Sequence, residues 1–242
     1  MLFDDHYQVF LANGVHSEDL HFAVRYRVYC EERGFEDRQQ FPEGLEHDRW
    51  DPFSFKFIVR CRLSGEYVAA MRLVRSSSGQ LPLHSHCQVA PGWWTQLPGQ
   101  SIVELSRLCV LRSHSGNFWD MKRAAKGAAY EPGIFWGMVR AAFSVSQDEE
   151  IGQWYFLTTR ALARRLQQCM IHTDQVGEPC ELNGTRHPYL VDVERSRQRI
   201  MTESPQLRRF YYSEPFCRRL GDLDPQPQKS PHRPATQPAI ML

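Results

Sequence analysis

The sequence predicts one α/β domain built on a mainly antiparallel, hairpin-connected sheet. Two observations carry this prediction. In chain order, apolar periodicity gives helix, strand, strand, strand, helix, strand, helix, strand, which is typical of a single mixed layer architecture. The first two strands are separated only by Ser64-Gly65-Glu66, a short glycine-containing turn typical of an antiparallel hairpin.

The first predicted helix follows Ser17, a favourable N-cap, and stops at Gly34. Residues 55–63 alternate apolar and mostly charged side chains, which predicts a strand with one buried face that includes Leu63. The later predicted elements are strand 67–74, strand 101–111, helix 134–147, strand 153–159, helix 160–170 and short strands around 169–176 and 189–193.

The totals narrow the class of protein. The 242 residues are 42% hydrophobic and 24% charged, which is ordinary for a globular protein with a sizeable core. The formal net charge of +1 argues against bulk electrostatic capture of nucleic acid. The sequence shows neither a secretory-type start nor an apolar stretch long enough to span a bilayer, so we expect a cytoplasmic protein.

The cysteines and histidines predict no metal centre. The seven cysteines are odd in number, form no C-x-x-C pair and lie partly in apolar runs. Buried free thiols in a reducing compartment are therefore expected, rather than a disulfide framework or a zinc site. His84 and His86 are two residues apart without an obvious third ligand.

The chain divides into a globular part and a tail. From about residue 221 the sequence is proline-rich and almost without aromatic residues. Such a composition cannot bury enough apolar surface to order itself. We expect a folded domain over residues 1–220 and a disordered tail over residues 221–242.

Charged residues interrupt two of the apolar strands. Arg72 lies among small and branched apolar residues and needs a carboxylate partner, for which Glu104 is a candidate. Glu104 and Arg107 are three apart, so they share a face only if a bulge occurs at Leu105 or Ser106. A bulge would free a backbone N–H next to a carboxylate, a pair that can polarise a carbonyl and accept a proton.

A second group of charges lies near the first helix. Arg25 and Tyr29 are four residues apart on the helix, and a loop delivers Asp48 and Asp51 to the rim of the sheet. Each residue alone has an ordinary explanation as a surface charge, a turn former or a structural ion pair. Their occurrence together, in one order along the chain, predicts a functional site.

That order resembles a known family. The motifs are R-x-x-x-Y (Arg25, Tyr29), the aromatic Phe35, E-x-D-x-x-D (Glu46, Asp48, Asp51), Met71-Arg72-Leu73 and E-x-S-R (Glu104, Ser106, Arg107). Over about residues 20–170 the chain resembles the acyl-homoserine-lactone autoinducer synthases, which have an acetyltransferase (GNAT-like) fold. The stretch 24-VRYRVYCEERGFE-36 looks more like N-acyl amino acid synthases and the acyltransferases associated with the PEP-CTERM/exosortase system.

The sequence also departs from the autoinducer synthases. Tyr29 stands where they usually carry Phe, and Phe35 where they usually carry Trp. The loop 75–100 and the segment 170–220 differ from that family as well. These departures weaken a homoserine-lactone product and favour another amine acceptor.

The resemblance implies a twisted central sheet flanked by helices, with a cleft between splayed strands, and acyl transfer from a thioester to an amine. Glu104 would take the proton of the amine, while backbone N–H groups near Ser106 hold the thioester oxygen. A charged network would order the acceptor side. The implied catalytic residues are Glu104, Ser106 and Arg107, and the implied substrate-binding residues are Arg25, Tyr29, Phe35, Asp48, Asp51 and Arg72.

The stretch that follows strand 101–111 bears on the identity of the acyl donor. The stretch 112–127 lacks the glycine-rich loop with which acetyltransferases of this fold cradle the coenzyme A pyrophosphate. Basic side chains there could instead meet an acidic acyl carrier protein, or form a solvated face. These are Arg112, Lys122, Arg123 and Lys126, with Arg164 and Arg165 further along.

The resemblance favours an acyl-carrier thioester as donor substrate, with no permanently bound cofactor and no metal. Two alternatives stay open: a small-amine N-acyltransferase that uses acyl-coenzyme A, and a non-catalytic acyl- or acyl-carrier-binding module. An apolar slot would hold the acyl chain. Its candidate lining residues, which are equally core candidates, are Ile134, Phe135, Trp136, Met138, Phe143, Trp154 and Phe156.

Overall fold

A computed structural model describes residues 3–75, 79–93, 101–117, 133–212 and 218–219. The helices are α1 (Phe3–His6), α2 (Val15–Tyr26), α3 (Ile134–Asp148), α4 (Arg160–Gln168), α5 (Val193–Glu203) and α6 (Pro205–Tyr212). The strands are β1 (Tyr7–Ala12), β2 (Ser54–Cys61), β3 (Tyr67–Arg75), β4 (Ser101–Val110), β5 (Ile151–Thr158), β6 (Thr173–Gln175), β7 (Cys180–Glu181), β8 (Thr185–Asp192) and β9 (Arg218–Arg219).

The strands form one mixed sheet in the order β6-β8-β5-β4-β3-β2-β1-β9, and β7 pairs with β8. The β4–β5 and β1–β9 pairs are parallel and the others are antiparallel. Helix α3 lies in the crossover that joins β4 to β5. The predicted α/β class and mainly antiparallel sheet are confirmed.

Strand β2 differs from its prediction. It ends at Cys61, so Leu63 falls in the following turn and is 95% exposed. Lys56 and Ile58 are buried, as are Phe57 and Val59 on the other face. The expectation of one buried face was wrong because β2 is an interior strand with packed side chains on both faces. Its neighbour β1 was not predicted from the sequence.

Helix α2 begins at Val15, earlier than the sequence predicted. Ser17 caps it from inside the first turn, since its Oγ accepts from the Gly14 N–H at 3.0 Å and donates to the Gly14 carbonyl at 2.8 Å. The helix continues as a wider π-helical segment, Arg27–Glu32. The predicted stop is confirmed: Gly34 adopts a φ of +63°, which glycine tolerates without strain.

Strands β4 and β5 separate partway along their length. Their pairing runs from Ser101 to Glu104 on β4 and from Ile151 to Tyr155 on β5. Beyond Glu104, the described pairing partner of β4 is β3, and that of β5 is β8. The cleft between splayed strands, expected from the resemblance, is therefore present, and Glu104 stands at its apex.

The predicted bulge in β4 exists, but at a different position. Ala70 pairs with Cys109 and Arg72 with Ser106, so β4 holds one extra residue between these pairs. Arg107 has a φ of +52°, a left-handed conformation that is uncommon outside glycine. The bulge thus lies at Arg107–Leu108, not at Leu105 or Ser106, and it coincides with the turning of Arg107 toward a cluster of carboxylates.

The cysteine prediction was wrong for one pair. Cys87 and Cys180 form a disulfide across 93 residues of sequence, while Cys30, Cys61, Cys109 and Cys169 are buried free thiols as expected. The spacing of the pair gave no signal, because the two residues meet only through the packing of residues 79–93 on β7 and β8.

None of the helices in the described ranges combines the length and the apolar character needed to cross a membrane. The predicted tail, residues 221–242, lies outside the described residues.

Candidate active site

Arg25 is the buried centre of the charged network. Its Nε donates to Glu46 Oε2, and its Nη1 donates to Asp51 Oδ1 at 2.6 Å. Burial lowers the pKa of Arg25, but the charges of Glu46 and Asp51 outweigh it and leave the pKa raised. Arg25 stays cationic and joins helix α2 to the loop that precedes β2.

Arg72 projects from β3 into the same network. Its Nη1 and Nη2 donate to the two carboxylate oxygens of Asp48 at 2.6 and 2.8 Å, and Nη1 also reaches Asp51 Oδ1 at 2.8 Å. Its Nε donates to Ser106 Oγ at 3.1 Å. The predicted need for a carboxylate is met by Asp48 and Asp51. The expectation that Glu104 would be that partner was wrong, because the loop before β2 places both aspartates nearer.

The two aspartates are held in the ionised form. Burial raises the pKa of Asp48, but the hydrogen bonds and charge of Arg72 outweigh it and the net pKa is lowered. For Asp51, burial is likewise outweighed by Arg25 and Arg72, and the pKa falls well below its usual range. Asp51 also accepts the backbone N–H of Asp48 at 2.7 Å, which fixes the loop.

Arg107 closes the network at the bulge. Its guanidinium lies 3.3 Å from both Glu46 and Asp48 and 3.2 Å from Glu36. It also lies over the Tyr29 ring, at 5.5 Å from the centroid. Arg107 is partly exposed, whereas Arg25 and Arg72 are buried, so it is the network arginine that solvent can reach.

Tyr29 and Phe35 form the wall beside Arg107. The Tyr29 hydroxyl donates to the Leu108 carbonyl at 3.2 Å, so it contacts the bulge itself. The Phe35 ring stacks on Tyr29 with 6.4 Å between centroids, and Phe35 is 43% exposed. Both residues therefore border the charged network.

Glu104 lies apart from the ion pairs, at the apex of the cleft. It is only 3% exposed, and its Oε2 accepts the backbone N–H of Leu83 at 2.6 Å. Burial raises the pKa of Glu104 to about 8, although the Leu83 bond and the charges of Arg72 and Arg107 oppose the rise. A carboxyl group of this pKa can exchange a proton near neutral pH.

An apolar cavity begins where β4 and β5 part. About 310 Å³ of space between atoms, including its mouth, is lined by Leu105, Leu108, Phe135, Val139, Trp154, Phe156, Leu162, Leu166 and Val191. Of the predicted slot residues, Phe135, Trp154 and Phe156 line this cavity. Ile134, Trp136, Met138 and Phe143 are buried in the core instead. Neither the helical spacing of the five α3 residues nor the strand spacing of the two β5 residues could separate cavity from core, because all seven are buried.

The basic residues predicted to dock a carrier protein are only partly described. Lys122, Arg123 and Lys126 lie outside the described residues. Arg112 is exposed and makes two hydrogen bonds to Glu32. Its backbone N–H donates to the Glu32 carboxylate at 2.9 Å, and its guanidinium donates to the Glu32 backbone carbonyl at 3.1 Å. Arg164 and Arg165 are exposed on α4, the helix that contributes Leu162 and Leu166 to the cavity.

Three contributors to the site were missed or undervalued from the sequence. Glu46 is nearly fully buried and bridges Arg25 to Arg107, a role that its place in the E-x-D-x-x-D motif could have indicated. Glu36 pairs with Arg107 without any motif to mark it. The Leu83 N–H is a backbone group, so side-chain patterns carry no signal for it.

His21 gives the network a pH-dependent neighbour. It is fully buried, and in its neutral form Nε2–H donates to the Met71 carbonyl at 3.3 Å, while Nδ1 has no hydrogen-bond partner among the described residues. Burial, followed by the charge of Arg25, lowers the pKa of His21 well below 6.5, although Asp51 opposes this.

We expect this depressed pKa to appear in stability. The neutral His21 contributes fully above pH 6.5, and its contribution is lost as pH falls from there toward the folded-state pKa, because the unfolded chain takes up the proton first. Below pH 6.5 the free energy of unfolding should decrease by up to about 1.4 kcal/mol per pH unit more in the wild type than in His21→Gln. Urea unfolding at pH 7.5 and 5.5 measures the difference, and equal slopes in both proteins would contradict the assignment.

The mixed sheet that opens between β4 and β5, with a carboxylate at the apex, is the arrangement expected of a GNAT-like fold. Independently, residues 24–120 match the family described as acetyltransferase (GNAT) domain. The GNAT-like fold and the acyltransferase class expected from the resemblance are confirmed. A comparison with curated protein sequences found no match.

The chain is also similar in structure to several solved proteins. The CoA-dependent acyl-homoserine lactone synthase BjaI, solved with SAM and isopentyl-CoA, is similar at 15% identity and TM-score 0.57, covering 88% of this chain and 92% of BjaI. The AHL synthase LasI is similar at 13% identity and TM-score 0.56, covering 86% and 95%. FeeM, an N-acyl amino acid synthase from uncultured soil microbes, is similar at 12% identity and TM-score 0.51, covering 79% and 93%. At these identities the likeness concerns the fold.

Proposed function

We propose that this chain is an N-acyltransferase that moves a fatty acyl group from a carrier-protein thioester to the amino group of an amino acid or related amine. One observation carries the proposal: the buried carboxyl of Glu104 stands where β4 and β5 part, between a charged network and an apolar cavity. A thioester can therefore lie along the cleft with its carbonyl near the carboxyl group that takes the proton of the amine.

The reaction follows from these positions. Glu104, in its ionised form, accepts a proton from the ammonium group of the acceptor, directly or through one water. The neutral amine attacks the thioester carbonyl carbon, a C–N bond forms, and negative charge develops on the carbonyl oxygen. Backbone N–H groups at the β4 bulge would stabilise that oxygen. The C–S bond then breaks, and the thiolate leaves with the second amine proton as a free thiol.

The network suits an acceptor that carries an ammonium group. Three guanidinium groups face four carboxylates, those of Glu36, Glu46, Asp48 and Asp51, so negative charge is in excess before Glu104 is counted. If the acceptor also carries a carboxylate, Arg107 is the arginine to bind it. Arg107 is partly exposed, whereas Arg25 and Arg72 are buried and out of reach of an incoming carboxylate.

The cavity suits an unsubstituted acyl chain. All nine of its lining side chains are apolar, so a hydroxyl or keto group on the acyl chain would lose its hydration there without finding a partner. This favours a plain fatty acyl donor over an oxidised one.

We expect Leu162→Trp to shorten the acyl chain that the enzyme accepts. Leu162 lines the cavity from α4, and an indole in its place would occupy space that the chain needs. The rate with a long-chain donor should fall at least about tenfold relative to a medium-chain donor. The matched control is Leu20→Trp on α2, which packs against the core away from the cavity and should leave the ratio unchanged.

The carrier protein is proposed on charge and on the resemblance. Arg164 and Arg165 are exposed on the helix that lines the cavity, where an acidic carrier would deliver its acyl chain. The alternative donor is acyl-coenzyme A, because the structural neighbour BjaI is a CoA-dependent synthase. Cytoplasmic localisation and the exosortase association remain predictions.

One assay tests the function and the donor together. The same acyl chain is offered as carrier-protein thioester and as coenzyme A thioester with a panel of amines, and thiol release and product mass are followed. We expect amide formation with a higher kcat/KM for the carrier thioester, and Arg164→Glu should reduce that preference. Binding of the donor without amide from any amine would instead support the non-catalytic module.

A further inference from the structure

Residues 79–93, here called the cover segment, pack against Glu104. The segment supplies the Leu83 N–H that donates to Glu104 Oε2 at 2.6 Å. Leu81 and Leu83 pack with Ile102 and Tyr155 in a buried apolar cluster beside the carboxyl group. The cover segment is therefore both the hydrogen-bond donor and part of the apolar wall that keeps Glu104 at 3% exposure.

The cover segment is attached to β7, to Val176 and to Tyr155 on β5. The disulfide between Cys87 and Cys180 ties it covalently to β7. The Ala90 N–H donates to the Val176 carbonyl at 2.7 Å, and the Tyr155 hydroxyl donates to the Trp93 carbonyl.

Gly177 completes this attachment. A β-carbon added to Gly177 would overlap with the Gln88 carbonyl oxygen. The disulfide thus acts on a closely fitted contact rather than on a loose loop.

We propose that the Cys87–Cys180 disulfide is a redox-dependent positioning element for Glu104, and this rests on the proposed function of Glu104 as the base. The closed bond holds the cover segment, and with it the Leu83 N–H, against the carboxyl group. A dithiol reductant opens the bond: two electrons and two protons pass to the cysteines, and the reductant becomes a disulfide. The released segment then admits water to Glu104.

The electrostatics give this change a direction. Glu104 is faced by Arg72 from β3, Arg107 from β4 and Asp48 from the loop before β2, and Tyr155 on β5 is its register partner. Burial is the largest influence and raises its pKa, while the Leu83 bond and both arginines lower it. Loosening the cover removes burial but leaves the arginines in place. The pKa of Glu104 should therefore fall from about 8 toward its ordinary value of 4.5 on reduction.

The pair is suited to a redox response. Cys87 is buried but Cys180 is only half-buried, so a reductant has a sulfur to approach. The other described cysteines, Cys30, Cys61, Cys109 and Cys169, are buried free thiols. In the reducing compartment that the sequence predicts for this chain, disulfides are more often redox-responsive than structural.

The test compares the full-length wild type after mild oxidation and after dithiothreitol. Hydrogen exchange of the Leu83 amide reports the cover, and the ¹³C NMR titration of the Glu104 carboxyl, assigned by its absence in Glu104→Gln, reports the pKa without requiring turnover. On reduction we expect hydrogen exchange of the Leu83 amide to become at least about tenfold faster. The titration midpoint of the Glu104 carboxyl, and with it the acidic limb of the pH profile of kcat/KM, should move down by more than one pH unit.

Two variants separate the disulfide from other effects of the reductant. The Cys87→Ser/Cys180→Ser double variant should behave as reduced wild type with or without dithiothreitol, whereas Cys30→Ser should respond as wild type does. Gly177→Ala should displace the cover with the disulfide intact and lower the Glu104 pKa in the oxidised protein.

The outcomes are distinguishable. Free thiols at Cys87 and Cys180 after mild oxidation, or an unmoved Glu104 titration on reduction, would overturn the positioning role even if Glu104→Gln is inactive. A Glu104 titration that moves as expected, in an enzyme whose Glu104→Gln variant keeps full turnover, would support the redox-dependent cover and overturn the proposed function instead.

Discussion

Glu104→Gln should reduce amide formation by about a hundredfold to ten-thousandfold, the range that removing a general base usually costs. Glutamine keeps the size of the side chain and can still accept the Leu83 N–H through its amide oxygen, so the cover and the cleft should stay in place. Donor binding should therefore be retained. Thiol release with a saturating acceptor measures the first quantity, and calorimetric titration with a non-transferable donor analogue measures the second.

The pH profile gives the same variant a second readout. Because the pKa of Glu104 is raised to about 8, wild-type kcat/KM should increase with pH up to that value, and the residual rate of the variant should lack this limb. The matched control is Glu149→Gln, a partly exposed carboxylate paired with Arg75, which should keep both rate and profile. Turnover within twofold of wild type in Glu104→Gln would remove Glu104 from the mechanism.

Stability distinguishes loss of chemistry from loss of fold in this variant. The raised pKa means that folding favours protonated Glu104, so its contribution to stability is fully present below about pH 4.5 and is lost progressively as pH rises from there through about 8. Glutamine cannot ionise. The variant should consequently be at least as stable as the wild type at pH 9, and a large fall in melting temperature there would contradict the burial of an ionisable group.

Arg72→Ala should destabilise the protein by about 3–5 kcal/mol, the cost of removing one partner from a buried ion pair. Asp51 would remain buried with one guanidinium instead of two, and Asp48 would lose both of its hydrogen bonds to Arg72. The lost charge compensation, rather than lost packing, dominates this cost. Urea unfolding followed by tryptophan fluorescence measures it.

Two further substitutions sharpen this prediction. Arg72→Lys should recover little of the lost stability, because an ammonium group cannot make the paired bonds to Asp48. Arg27→Ala removes an exposed arginine that pairs with Glu66 on the surface, and it should cost no more than about 1 kcal/mol. Arg72→Ala with the unfolding midpoint of the wild type would show that the network is not needed for the fold.

The sequence predicted most residues of the charged network but few of the contacts between them. Arg72 was recognisable because it interrupts an apolar strand, and Arg25, Asp48 and Asp51 because they occur with it in a known order. The sequence did not predict which carboxylate pairs with which arginine. Arg72 lies beside the β4 bulge, but it bonds to a loop more than twenty residues earlier in the chain. Pairing across loops depends on how the loop packs, and periodicity carries no information on that.

The remaining errors have related causes. The bulge was expected from the spacing of Glu104 and Arg107, but its position depends on the left-handed conformation of Arg107. The disulfide and the Leu83 N–H both involve residues 79–93, whose irregular backbone has no period to interpret. In contrast, strand β3 and helix α3 were predicted to within one residue at each end, because long apolar runs with clear turns determine them locally.

The β4 bulge also bears on how the chain folds. Arg107 meets Glu46 across 61 residues of sequence, and Tyr29 meets Leu108 across 79. Contacts between such distant segments form only after long loops have closed, which makes them slow relative to helices and hairpins. The β2–β3 hairpin can therefore assemble early, whereas the ion pairs at the bulge require β4 to be docked. An emerging chain would hold these charges solvated and separate until that late docking step.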